Sequence, residues 1–135
     1  MSLFELFNEI RNDNVGNFKQ ILSENPSLIN EYLYGVTPLL YSIECNSPNI
    51  AMDLCLCGQA DMDLKDNVEN SCLEKAIENK MYKIVEIVCK NSNFDKKMML
   101  DNKETLLTNT LKMNDQNVSI ALINGKFFLS YKILI

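Results

Sequence analysis

Apolar and polar positions along this chain follow two periods at once, a short one of three to four residues and a long one of 34. The short period is clearest in Ile50-Ala51-Met52-Asp53-Leu54-Cys55, Ile84-Val85-Glu86-Ile87-Val88-Cys89 and Val118-Ser119-Ile120-Ala121-Leu122-Ile123. Apolar residues four apart in each, such as Ile50 with Leu54 and Ile84 with Val88, mark one buried helical face. Each of these stretches follows a segment that opens on a hydroxyl residue (or, in one copy, leads from it into a proline), has Leu two positions on and a small residue five positions on. Those segments are Thr37-Pro38-Leu39-Leu40-Tyr41-Ser42, Ser71-Cys72-Leu73-Glu74-Lys75-Ala76 and Thr105-Leu106-Leu107-Thr108-Asn109-Thr110. The pattern predicts units of two short helices and a loop, stacked side by side, because a period in the low thirties belongs to repeat architectures.

Thr37-Pro38-Leu39 with Ser42 resembles the ankyrin-repeat signature, Thr-Pro-Leu-His followed by a small residue. On the loop side, Gly58-Gln59-Ala60-Asp61-Met62-Asp63-Leu64-Lys65-Asp66 is similar to that family's Gly-Ala-Asp-x-Asn-x-x-Asp, one residue longer. Asp13-Asn14-Val15-Gly16-Asn17-Phe18-Lys19-Gln20-Ile21-Leu22 followed by Asn25-Pro26-Ser27-Leu28-Ile29-Asn30 resembles the variant in which Asn-Pro replaces the loop glycine. Leu3, Leu6 and Ile10 then form an opening helix. The resemblance implies an all-α solenoid with hairpin-like loops, in a single domain. Its repeats cover approximately 1–31, 32–65, 66–99 and 100–126, followed by an apolar cap or tail at 127–135. The tetratricopeptide repeat shares the 34-residue period, but expects large aromatic and small residues at helix-packing positions and no Asp-rich loop.

Two departures from the family pattern carry physical expectations. The family's His is replaced by Leu40, Glu74 and Thr108, and the chain has no histidine at all. That His ties a loop to its neighbour, so its absence implies a less stable stack. The family's Gly between paired helices is replaced by Asn46, Lys80 and Asn114. Asn reaches left-handed backbone readily; Lys80 either bends the turn or carries strain.

In the ankyrin family the partner lies along the concave face, formed by loop tips and the first helix of each repeat. The resemblance therefore implies a partner-binding set of Leu33, Tyr34, Val36, Glu44 and Cys45 in the second repeat. Asn67, Val68, Asn70, Glu78 and Asn79 follow in the third, and Asp101, Asn102, Glu104, Lys112 and Met113 in the fourth. Tyr34 with Leu33 and Val36 has the composition of an interface anchor, or of a contact that packs the first loop, with Tyr32, onto the second.

Composition narrows the chemistry. Without histidine the usual general base and the middle member of nucleophile triads are missing, and the four glycines are too scattered for a phosphate-binding loop. A non-catalytic chain with no cofactor and no metal is the expectation; Cys45, the one thiol at a concave position, is the only candidate nucleophile. The five cysteines read as reduced, mostly buried thiols. Cys55 and Cys57, two apart on a helix, point to different sides and make a poor metal pair.

Net charge is −5, unevenly placed: residues 1–70 hold 3 basic and 11 acidic side chains, residues 71–135 hold 10 basic and 7 acidic. The acidic half would attract a partner protein with a basic surface and repel nucleic acid. No apolar run reaches the roughly 18 residues of a membrane span, and Glu5, Glu9, Arg11 and Asp13 interrupt any signal-peptide-like stretch, so an intracellular, cytoplasmic protein is the expectation. The apolar stretch 127–135 would cap the fourth repeat, mark a break in a longer array, or form a self-association or membrane-contact surface. Self-association through the tail, giving a homodimer, makes a self-assembling structural unit the alternative to a monomeric adaptor.

Overall fold

A computed structural model describes residues 2–91 and Asn117. Among these the regular structure is helical: α1 (Ser2–Arg11), α2 (Val15–Glu24), a 3-10 turn (Pro26–Asn30), α3 (Pro38–Glu44), α4 (Pro48–Leu56), α5 (Cys72–Glu78) and α6 (Tyr82–Lys90). The chain is all-α over this range. The fourth repeat, Asn114 and the apolar stretch 127–135 lie outside the described residues, Asn117 apart.

The helices form antiparallel pairs, α1 with α2, α3 with α4 and α5 with α6, and the pairs stack. The first helices make one layer, α1 on α3 on α5, and the second helices another, α2 on α4 on α6. The residues at helical spacing are the ones between the layers: Leu6, Ile10, Ile50, Leu54, Ile84 and Val88 are each at most 2% exposed. Burying a side chain of this size contributes about 1.5–3 kcal/mol. Because every pair buries its face on the next, the core is a continuous seam.

Local chemistry starts α3 and α5 at the hydroxyl residue. Thr37 Oγ1 accepts from the Leu40 amide at 3.3 Å, with Pro38 in the first helical position, where a missing N–H costs nothing. Ser71 and Glu74 form a reciprocal capping box, Glu74 N–H to Ser71 Oγ at 3.2 Å and Ser71 N–H to Glu74 Oε1 at 2.9 Å. Glu74 stands where the family pattern has His, and its carboxylate here serves its own helix.

The first helices also end alike. Asp13, Asn46 and Lys80 have φ of 52°, 55° and 57°. Their amides donate to Ile10, Ile43 and Ile77, and the next amides, of Asn14, Ser47 and Met81, donate to Glu9, Ser42 and Ala76 at 2.8–3.0 Å. This is a Schellman closure repeated three times. The turn at Lys80 is therefore not bent away from the common geometry: Lys80 adopts the left-handed conformation, which costs an L-residue with a long side chain about 1–2 kcal/mol.

Between the pairs the chain runs out and back. Leu33 and Val36 exchange both backbone hydrogen bonds, 2.9 and 3.1 Å, around Tyr34 and Gly35, whose φ values of 58° and 79° mark a two-residue hairpin turn. The next loop is one residue wider: Asp66 N–H donates to Asn70 C=O, and Glu69 takes φ 68°. The two tips touch through the Asn67 amide, which donates to Gly35 C=O at 3.0 Å. A Cβ at Gly35 would lie 2.6 Å from Asn67 Cγ, so both its backbone angle and its neighbour require glycine.

Candidate protein-binding face

Residues on the first-helix layer recur in register. Tyr41, Glu44 and Cys45 at the end of α3 correspond to Lys75, Glu78 and Asn79 at the end of α5, and, 33 residues earlier, to Asn8, Arg11 and Asn12 at the end of α1. With the hairpin tips at 33–36 and 66–70 they make one continuous face.

At one end of this face four aromatic rings gather. Phe7 and Tyr41 stack at 4.8 Å with a 24° interplanar angle. Tyr34 stands edge-on to Phe4 at 6.4 Å and to Phe7 at 6.2 Å. Phe7 is buried, but Tyr34 is 68% and Phe4 60% exposed. Together with Asn8 and Arg11 the rings line an open pocket of about 220 Å³. Arg11 Nη2 donates to Asn8 Oδ1 at 2.8 Å, which holds the guanidinium at the mouth.

In the middle of the face the second hairpin, α5 and α3 are tied by charge. Lys75 Nζ lies 3.0 Å from both Glu44 Oε2 and Asp66 Oδ2. The Asp66 carboxylate, 4% exposed, also accepts from the Val68 and Asn70 amides at 3.0 and 2.8 Å. Burial alone would raise the Asp66 pKa; the Asn70 amide, the Lys75 ammonium and the Val68 amide outweigh it and hold the carboxyl below its ordinary value. Lys75 is likewise desolvated, yet Glu44 and Asp66 raise its pKa. A loop-to-helix tie is thus made by Asp66 and Lys75 in a chain that has no histidine to make it.

The residues implied by the repeat phase divide by what the structure does with them. Tyr34, Glu44, Asn67, Val68, Glu78 and Asn79 are exposed on the face, Val68 at 67%. Leu33, Cys45 and Asn70 are half-buried. Val36 corrects the expectation: at 4% exposure it is a core residue, because the hairpin return turns its side chain under the loop. Asn79 Nδ2 is committed to Ile43 C=O at 2.9 Å, and its amide is therefore in part structural. Tyr32 is the residue that fastens the first loop to the second, its hydroxyl donating to Lys65 C=O at 2.6 Å, while Tyr34 packs the opposite way, toward α1. Asp101, Asn102, Glu104, Lys112 and Met113 lie outside the described residues.

Reading by phase from the second repeat onward misses Phe4, Phe7, Asn8 and Arg11. Carrying the register back 33 residues from Tyr41 and Glu44 points to Asn8 and Arg11. Phe4 has no such signal, since its counterpart Thr37 is a buried cap.

Burial raises the Cys45 thiol pKa, with the Glu44 charge adding to it and the hydrogen bond with Tyr41 opposing. The thiolate that a nucleophile requires is therefore disfavoured at neutral pH. Among the described residues no three His, Cys, Asp or Glu side chains gather to hold a metal ion, and no helix is long and apolar enough to cross a membrane. A second groove, about 440 Å³, lies between α1 and α2 and carries Glu5, Glu9 and Glu24 with Asn8, Asn17 and Gln20, a polar end surface for the stack. Comparison with family models, with curated proteins and with solved structures finds no match to this chain.

Proposed function

We propose that this chain is a non-catalytic interaction module of ankyrin type that binds a partner protein through the first-helix and hairpin face. The observation that carries the reading is Tyr34. A bulky aromatic residue sits at φ 58°, where Gly or Asn is favoured, and holds its ring 68% exposed over Phe4, Phe7 and Tyr41. Strain of this kind, about 1–3 kcal/mol, persists where the surroundings fix it, and it concentrates at sites of recognition. An exposed aromatic over a rigid aromatic base has the composition of a binding hot spot.

The ankyrin assignment is supported by the 34-residue register of helix pairs, the repeated Schellman closures and the hairpins between pairs. A reducing compartment inside a cell suits a chain whose five cysteines are all thiols.

Affinity capture from lysate, with the intact chain beside Tyr34→Ala and beside Lys19→Ala on the far layer, tests the reading. Tyr34→Ala is expected to weaken the captured partner by about 30-fold, the size of one hot-spot side chain, and Lys19→Ala to leave it unchanged. Equal capture by all three would move the interaction off this face and favour self-assembly.

A further inference from the structure

The pocket at the end of the face has a charge character of its own. Of its six lining residues four are aromatic, one is Asn8, and the only charged one is Arg11. Arg11 is also the only arginine in a chain whose 13 basic residues are otherwise lysine. The two are not equivalent: guanidinium is planar, presents a fork of donors that matches a carboxylate, and stacks on aromatic faces. Asn8 fixes that fork through a single N–H at 2.8 Å, which leaves its other donors for a ligand. Among the described residues Arg11 makes no ion pair, whereas Lys19, Lys75, Lys83 and Lys90 each do.

We propose that this pocket, in the binding face assigned above, recognises a partner segment in which one large apolar side chain stands next to a single carboxylate. The inference rests on the interaction-module reading and specifies its partner. The apolar side chain fills the space between Tyr34, Phe4 and Phe7; at about 220 Å³ the pocket holds the volume of roughly seven waters, enough for one such group. The neighbouring carboxylate takes the fork of Arg11.

Competing occupants fit less well. A lysine or arginine of the partner would bring a second cation to a mouth that already holds one. A wholly apolar segment would cover Arg11 and leave it without a counter-charge, which is costly. A run of several acidic residues, or a nucleic-acid backbone, would be repelled by the excess of acidic side chains in residues 1–70, which includes Glu5 and Glu9 in the neighbouring groove between α1 and α2. The balance of one guanidinium within an acidic surround selects one carboxylate, not many. Glu44, the nearest acid on α3, is held by Lys75 at 3.0 Å.

Selection from a random heptapeptide display library against the full chain tests this, followed by anisotropy measurements on the enriched peptides in synthetic form. The expected consensus has an aromatic or large aliphatic residue within two positions of one Asp or Glu. Arg11→Gln is expected to weaken the peptide by about tenfold, Arg11→Lys by less. Changing the peptide's Asp to Asn should cost the same in the intact chain and almost nothing further in Arg11→Gln, which identifies the pair by a double-mutant cycle. Arg11 is exposed, and matched circular dichroism confirms that each variant folds. Enrichment of basic or uncharged peptides, or equal binding by Arg11→Gln, overturns the inference; if Tyr34→Ala still abolishes that binding, the interaction face stands. Binding insensitive to Tyr34→Ala as well, or no enrichment, overturns both.

Discussion

Lys80 shows how a single residue records the demands of the repeat. The end of each first helix requires a left-handed residue, and Asp13, Asn46 and Lys80 supply it at φ of 52–57°. Asp and Asn accept this through local hydrogen bonding of a short side chain; Lys has no such compensation. Lys80→Gly is therefore expected to stabilise the protein by about 0.5–1 kcal/mol, the relief of left-handed strain less the chain entropy that glycine loses. Asn46→Gly should lie within about 0.5 kcal/mol of the parent. Urea unfolding midpoints measure both, and a destabilised Lys80→Gly would show that the lysine side chain contributes more than its backbone costs. The need for unusual backbone here was legible from the sequence, as a missing glycine in a fixed phase. That Lys80 bears the strain instead of bending the turn was not, because the Schellman bonds that enforce it come from Ile77 and Ala76, three and four positions back.

Helices and hairpins owe their placement to bonds that jump between them. The second helices were legible from apolar spacing alone, and the first from Thr37 and Ser71, which prove to be caps. The tie from Asp66 to Lys75 and on to Glu44 was hidden, since it depends on how α5 and the hairpin before it dock on α3 and has no signature in local spacing. Its contribution depends on pH with a definite sign. The Asp66 carboxyl is held below its ordinary value, so its stabilisation is full above the unfolded pKa, about 3.9, and is lost as pH falls through the lower folded value. Asp66→Asn is expected to cost about 1–3 kcal/mol at pH 7 and to flatten the loss of stability between about pH 5 and pH 2. Thermal melts across that range provide the check; a variant as acid-sensitive as the parent would place the acid response in other carboxylates. The aromatic pocket was half legible: Tyr34 stood out as an aromatic beside the aliphatic Leu33 and Val36, but Phe4 and Phe7 look in sequence like any helix's apolar residues.

At the scale of the molecule, burial sorts the five cysteines by their depth in the stack. Cys55, Cys72 and Cys89 are at most 1% exposed, and burial, with a smaller contribution from the neighbouring Cys57, pushes the Cys55 thiol up to about 12. Cys57 alone is exposed, and Cys45 is intermediate. A thiol reagent at pH 7.5 is expected to modify Cys57 first, Cys45 at least about tenfold more slowly, and the other three only on unfolding. Core thiols reacting at the rate of Cys57 would mean that the stack opens locally between α4 and α6.

The ties between repeats also have a mechanical side. Ser47 Oγ donates to Ile10 C=O, Asn79 Nδ2 to Ile43 C=O and Asn91 Nδ2 to Cys55 C=O, each reaching back 36 or 37 residues. Asp13 in turn accepts from the Ile50 amide at 3.0 Å and from Asn49 Nδ2 at 2.8 Å, and so caps the helix of the next repeat. Apolar seams alone would allow neighbouring pairs to slide with little resistance. A slip of one residue, about 1.5 Å along a helix, would break these bonds together, since few survive beyond about 3.5 Å. These notched joints resist shear between neighbouring pairs, so whatever the stack grips is met by side chains in fixed register.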